Sequence, residues 1–259
     1  MKSRFFALLL AATVTAVPAA AWALPITKSV TVKVYTICDN AGANCAAQGT
    51  ATDLFFGTAA NKIWAQAGIQ VVYQNMGKIN NGNYLNIDDN VFAKSFNSLA
   101  LGYDYQCTSV VDMFLTHTVL GNYGEGWFGA GGLVLAMDDI LGFSANGRMD
   151  TMAHELGHNF GLDPVGDPEY RASDPGHSNN PNELIASGSI RHIPPTLGDI
   201  NPDGLGYDQI SAFQVQVARN SSLLTDVRVT TPEPSSLALV AAGIAALFGA
   251  ARRRNSRLA

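Results

Sequence analysis

Read for the spacing of its apolar positions, the chain divides into short alternating and helical segments separated by breaks rich in glycine and asparagine. Positions 29–37 alternate through Val30, Val32 and Val34, with Tyr35 following, which predicts a first strand with one buried face. Positions 53–67 carry Leu54, Phe55, Ala59, Ile63 and Trp64 at helical spacing, and Gly68 closes that helix. A second strand is expected over 69–73. Residues 74–90, rich in Asn and Gly, read as a loop, and 91–101 as a short helix or an irregular stretch. The weak alternation of 110–120 predicts a strand. The many glycines of 121–132 read as a flexible loop, and 133–137 as a short apolar strand. A helix is expected to begin between 146 and 150. The stretch 164–181 is polar and irregular, and 207–219 predicts a last helix ending at Asn220. There are no internal repeats. Strands and helices in this order predict an α+β domain.

Both ends read as addresses rather than fold. Lys2 and Arg4 precede an apolar run over 5–17, and Ala21-Trp22-Ala23 supplies an A-x-A site, so 1–23 is expected to be a secretory signal peptide. At the other end Pro232-Glu233-Pro234 precedes an apolar stretch over 237–251, followed by Arg252, Arg253, Arg254 and Arg257. The stretch is short for a lasting membrane span, and the arginines suit a cytoplasmic end. This three-part order resembles the PEP-CTERM sorting signal of Gram-negative bacteria. The resemblance implies an exosortase-type processing enzyme as a partner, a transient transmembrane association, and an extracellular or cell-surface protein. The expected division is therefore signal peptide 1–23, one domain over 24–230, and a sorting signal over 231–259. The alternative for the tail is a plain membrane anchor.

Charge and cysteine content narrow the class further. Over the expected mature chain, Leu24 to about Pro234, six of the 16 basic residues are removed, leaving ten against 21 acidic ones, a net charge near −11. Such a surface does not suit nucleic acid, and no basic patch is evident. An exported chain permits disulfides. Cys38 and Cys45 enclose a turn-rich loop and are the favoured pair, with a bridge from either to Cys107 left open.

The stretch that carries chemistry is His154-Glu155-Leu156-Gly157-His158, continued to Gly161 and Asp163. Residues four apart share one helix face, so the imidazoles of His154 and His158 can converge on one ion. Met152, Ala153, Leu156 and Phe160 would bury the opposite face. Gly161 can take the left-handed conformation that ends helices, and the turn would bring Asp163 back as a third ligand. Three protein ligands and an open position describe a catalytic zinc site. Glu155, beside the first ligand, is the candidate general base.

His154, Glu155, His158, Gly161 and Asp163 together resemble the signature of metzincin zinc metallopeptidases, with Asp in the third place as in the snapalysin-like branch. Residues 61–69 also look like the first helix and second strand of that fold, and the resemblance spans about 30–221. It implies a mixed twisted sheet with an active-site helix and a loop-rich C-terminal subdomain. It also implies a secreted endopeptidase that hydrolyses protein or peptide substrates with a zinc-activated water and Glu155 as base. Substrate would pair as an added strand beside 121–137. Metzincins carry a methionine turn beneath the metal. Here 182–188 resembles that turn, with Ile185 at the methionine position. Two rivals stand beside this reading: a non-catalytic exported surface or matrix protein with a structural zinc site, and a metal-dependent hydrolase of a non-peptide bond.

The other histidines read more plainly. His177 is first a solvated loop histidine, and second a replacement for Asp163 or a substrate contact. His117 and His192 read as core or edge residues. Asp138-Asp139 and Asn201-Pro202-Asp203-Gly204 read as turns first and calcium ligands second.

Overall fold

A computed structural model describes residues 23–87, 109–119, 121–162, 166–202 and 206–227. The expected signal peptide, the 91–101 segment, Cys107, Asp163, Asp203-Gly204 and the C-terminal tail lie outside the described residues. The elements in chain order begin with β1 (Lys28–Cys38), α1 (Gly57–Ala65), β2 (Ile69–Asn80) and β3 (Asn86–Ile87). They continue with β4 (Val110–Thr116), β5 (Thr118–Val119), β6 (Gly124–Gly126) and β7 (Gly132–Ala136). The last are α2 (Met137–Gly142), α3 (Thr151–Asn159), α4 (Ala212–Arg219) and β8 (Thr225–Asp226).

The main sheet has the order β2-β1-β4-β7-β6, with β8 added to β1. β2, β1, β4 and β7 are mutually parallel, while β6 runs antiparallel to β7 and β8 antiparallel to β1. The fold is thus mixed α/β with a mostly parallel sheet and few helices. Period-two alternation sorts the side chains between two cores. Val30, Val32 and Val34 of β1, Met113 of β4 and Leu133 and Leu135 of β7 face one cluster, shared with α1 and α3. Ile37, Phe114, Val134 and Ala136 face a smaller cluster on the other side. β7, buried throughout, is apolar on both faces, as an interior strand between two packed layers requires.

β2 is longer than expected. It continues to Asn80, pairing with β1 through a bulge between Val34 and Tyr35. Its second half is polar because β2 is the sheet's outer edge, where only one neighbour supplies hydrogen bonds and water meets the side chains. α1 starts later than expected, at Gly57, but Asp53 still acts on it: its carboxylate accepts from Thr58 N at 2.9 Å and Ala59 N at 3.3 Å. Gly68 ends the helix at φ +67°. Asn61 fastens α1 to β2, accepting from Val71 N at 2.9 Å and donating to Val71 O at 3.1 Å. Cys38 and Cys45 are disulfide-bonded.

Two further expectations need correction. The glycine-rich 121–132 stretch contains an edge strand, β6, and is not simply a loop. Asp138 and Asp139 are exposed as expected but lie in the first turn of α2 rather than in an isolated turn, and Asp138 pairs with His117 at 2.6 Å. In both cases packing on β7 decides, which local composition does not report.

Candidate metal centre and active-site cleft

α3 lies across the sheet with Met152, Ala153 and Leu156 fully buried in the larger core. Trp64 of α1 meets Phe160, at the helix end, edge to face with centroids 4.7 Å apart. The helix stops as the sequence predicts. Gly161 sits at φ +81°, Gly161 N donates to His158 O and Leu162 N to Gly157 O, a Schellman termination. Asn159 donates to three carbonyls, of Trp127 (2.9 Å), Ala130 (2.7 Å) and Gly132 (2.7 Å), which ties the helix to the β6–β7 turn.

The glycines of β6 are explained by this helix. A Cβ on Gly126 would collide with the Glu155 backbone carbonyl, and one on Gly124 would stand 2.9 Å from Glu155 Cγ. Glycine at both positions lets the edge strand lie against α3, so that Glu125 and Glu155 border one cleft.

That cleft, about 730 Å³, holds His154, Glu155 and His158 together with His177. His154, His158 and His177 each offer a ligand atom, and these atoms lie within 4.8 Å of one another. His154 and His158 come from one helix face. His177 comes from a turn in which Arg171 N donates to His177 O and His177 N to Asp174 O, with Ser178 N fastened to Ile185 O at 3.0 Å. The first reading of His177, a solvated loop residue, is thereby corrected: it faces both other imidazoles, with centroids 5.5 Å from His154 and 5.2 Å from His158.

The rings are oriented from behind. His154 Nδ1 donates to Leu184 O at 2.6 Å, which leaves Nε2 as the free acceptor for a ligand bond. Arg191 Nη1 abuts the same Nδ1. A guanidinium can only donate and Nδ1 cannot both accept from it and donate to Leu184 O, so the carbonyl is the partner that suits a metal-binding tautomer. His177 Nδ1 lies 3.2 Å from Asp174 Oδ1, which favours the same tautomer. Burial, then Arg191 and His158, hold His154 well below the usual histidine range. Burial and then His177 push His158 down to about 3. Both rings are therefore neutral, the form that binds a metal. Burial, then Glu125, push the Glu155 carboxyl up to about 8.

Behind His154 stands a buried charge cluster with no counterpart in the sequence reading. Arg191 Nε donates to Asp150 Oδ2 at 3.0 Å, and its Nη2 reaches the same oxygen. Asp208 Oδ1 lies 3.8 Å from Arg191 Nε. Burial and then Asp150 push Asp208 well above the ordinary carboxylate range. Asp150 occupies the N-cap position of α3 but does not cap it; its carboxylate turns to Arg191 instead. Sequence reasoning located Asp150 only as the helix start, and missed Arg191, Asp208 and Arg148, since residues in turns carry no periodicity, and Glu125, since a three-residue strand is too short to show one.

Ile185 is fully buried, and its Cδ1 would stand 3.2 Å from a Cβ on Gly157, which places it under the helix that bears the imidazoles. Among the described residues no helix is long and apolar enough to cross a membrane.

Residues 230–254 match the PEP-CTERM protein-sorting motif. The motif marks an exported, cell-surface protein and implies recognition by an exosortase-type enzyme. No curated protein matches the chain. Among solved structures the chain is similar to one described as the structure of a chaperone-substrate complex, at 13% identity and TM-score 0.44, covering 76% of this chain and 34% of that one. It is also similar to a zinc-dependent peptidase from Methanocorpusculum labreanum, at 12% identity and TM-score 0.40, covering 71% of this chain and 99% of that one. A third is mirolysin in complex with compound 9, at 12% identity and TM-score 0.44, covering 74% and 90%. The chain thus spans about a third of the first structure and nearly all of the other two. At TM-scores below 0.5 none of these likenesses carries functional weight, and the site is read from its own residues.

Proposed function

We propose that this chain is an exported zinc-dependent endopeptidase of metzincin type. The observation that carries the reading is three imidazoles within ligand distance of one another in a cleft that also holds Glu155. The donor set suits zinc: three imidazole nitrogens, two of them on rings with an oxygen on the far side. His154, His158 and His177 would hold the ion. The motif assigns Asp163 to the same ion, and the variants below separate the two candidates for third ligand.

Zinc bound there would lower the pKa of a water to near 7, polarise the scissile carbonyl and favour the Glu155 carboxylate over its protonated form. Glu155 accepts the proton from the attacking water and returns it to the leaving nitrogen. Gly126 N–H holds the Glu155 carboxylate in place. β6 offers an open strand edge, since among the described residues its only partner in the sheet is β7, and an extended peptide can pair with it as a further strand.

The test is cleavage of a casein or peptide-library substrate by purified protein, with metal analysis alongside. About one zinc per chain is expected, with activity abolished by a chelator. Glu155→Gln should keep the metal and lose about 10²–10⁴-fold in rate. His177→Ala should lose metal, and Asp163→Ala should retain it; the reverse result returns the third position to Asp163. A zinc-loaded protein that cleaves nothing would favour the rival reading, a non-catalytic surface protein with a structural site.

A further inference from the structure

The cleft wall at the start of α3 carries a cation that no side chain of the described residues neutralises by hydrogen bonding. Arg148 stands just ahead of the helix, its backbone N donating to Ile140 O at 2.9 Å. Only 7% of its surface is exposed. Its guanidinium carbon lies 4.3 Å from the Tyr123 ring centroid and 5.8 Å from that of Phe143, so an aromatic rim supports the group. Nε is buried without a hydrogen-bond partner. The nearest acidic oxygen, Asp150 Oδ1, is 4.0 Å away, and the other Asp150 oxygen is taken by Arg191. One turn along, Thr151 is 3% exposed and its Oγ1 is likewise buried and unpartnered. Both residues line the cleft that contains the imidazoles.

Leaving a buried donor unpaired costs about 1–3 kcal/mol, and more when it is charged. Two such groups in the wall of one cleft point to a partner that arrives from the cleft. The loop opposite leaves room for it: Gly188 has no side chain, and a Cβ there would stand 3.7 Å from Arg148 Nη2. The partner must accept hydrogen bonds, carry negative charge and be small. A carboxylate meets all three conditions, since its two oxygens match the guanidinium fork and can also take the threonine hydroxyl. The cleft is also lined by Glu125, Glu155 and Asp174, which disfavour an anion beside them, and its other guanidinium, Arg191, is already engaged by Asp150.

We propose that Arg148, supported by Thr151, is a specificity residue that receives a substrate carboxylate beside the three histidines, so that the enzyme cleaves next to an acidic residue. The inference rests on the peptidase reading and names its substrate class. The carboxylate could belong to an Asp or Glu side chain or to a free chain end, and the experiment separates these sources.

The test uses acetylated, amidated peptides that differ at a single position as Glu, Asp, Gln or Lys, plus the Gln peptide with a free C-terminus. Binding is measured by fluorescence anisotropy on the zinc-loaded, full-length Glu155→Gln variant, where turnover is blocked, and cleavage on the zinc-loaded protein. Glu and Asp peptides should bind and be cleaved at least tenfold better than Gln, and Lys should be worst. Arg148→Gln should erase the preference and Arg148→Glu should reverse it. Gly188→Asp keeps Arg148 in place and should erase the preference by supplying an internal carboxylate, which covers the case in which Arg148 variants fold poorly. Equal binding of the Glu peptide, the amidated Gln peptide and the free-C-terminus Gln peptide, or a preference that survives both Arg148→Gln and Gly188→Asp, overturns the proposal. A preference for the free-C-terminus Gln peptide supports the carboxylate site and assigns it to chain ends. Acid-selective binding without any cleavage supports the site while refuting the peptidase reading. Cleavage without acid preference does the opposite.

Discussion

The two sides of α3 are built on different principles. On one side, β1, β2, β4 and β7 pair through long parallel ladders, the first running from Lys28 opposite Ile69 to Cys38 opposite Asn80. Their side chains interleave with α1 in a continuous apolar core. On the other side, residues 166–202 and 206–211 meet one another and neighbouring segments mainly through turns and isolated bridges, such as Tyr170 with Ser178 and Glu183 with Gln209. Side chains do the fastening there. Gln214 donates to Glu183 at 2.7 Å and to Asp167 at 3.2 Å, and Gln66 donates to Asp208 O at 2.8 Å. Stability in the sheet side is spread over many small burial terms. In the loop side it is concentrated at a few polar nodes, and one more of them, Arg191 with Asp150, abuts the proposed ligand His154. A substitution that is absorbed in the first side should disable the second.

The sharpest way to break this contrast is Arg191→Ala. Removing one member of the buried cluster strands Asp150 and Asp208, and the expected loss is about 3–5 kcal/mol, read as a lower denaturant midpoint. Metal content should fall with it, because the group behind His154 is gone. Unchanged stability would show that the loop side does not depend on this node.

Metal removal should come next. A zinc concentration of about 1,000 times Kd contributes about 4 kcal/mol, and a chelator removes it. Because His177 is the proposed ligand that joins the loop side to α3, proteolysis over 166–191 should accelerate while 110–136 stays protected. Cleavage rising equally in both regions would count against the division drawn here.

Gly126→Ala probes the one place where the sheet side is as intolerant as the loop side. The added methyl has no room against the Glu155 backbone, and the expected cost is about 1–3 kcal/mol, with loss of activity as β6 is pushed off the helix. A variant of full activity and stability would show that the edge strand yields freely. The smallest effect is expected from Asp53→Ala, which frees two amides at the start of α1 and should cost about 1 kcal/mol, with zinc content and cleavage unchanged.

The apolar pattern was informative wherever one packing surface dominates. It located β1, the strand at β4, β7, the end of α1 at Gly68, and the end of the last helix at Asn220. It failed where neighbours decide. Residues 74–80 look like a loop because their polar side chains report exposure, yet the backbone still pairs with β1 along its open side. Gly124 and Gly126 look flexible in isolation, yet they are the close-approach surface for α3.

By itself, the sequence determined the local geometry of the helix. His154 and His158 share a face because the helical repeat places them there, with Glu155 next to the first of them, and Gly161 ends the helix because it alone adopts the left-handed turn without strain. It also carried the sorting motif at the C-terminus, since a processing signal is read as linear text. The third imidazole was a matter for the tertiary structure. His177 is separated from His158 by an irregular stretch with no period to read, and only the closure of the 171–177 turn, fastened by Ser178 to Ile185, brings it to the site. The same holds for Arg191, Asp150 and Asp208. Their charges are tolerated inside the protein only because folding brings opposite signs together, and that condition is set by three-dimensional proximity.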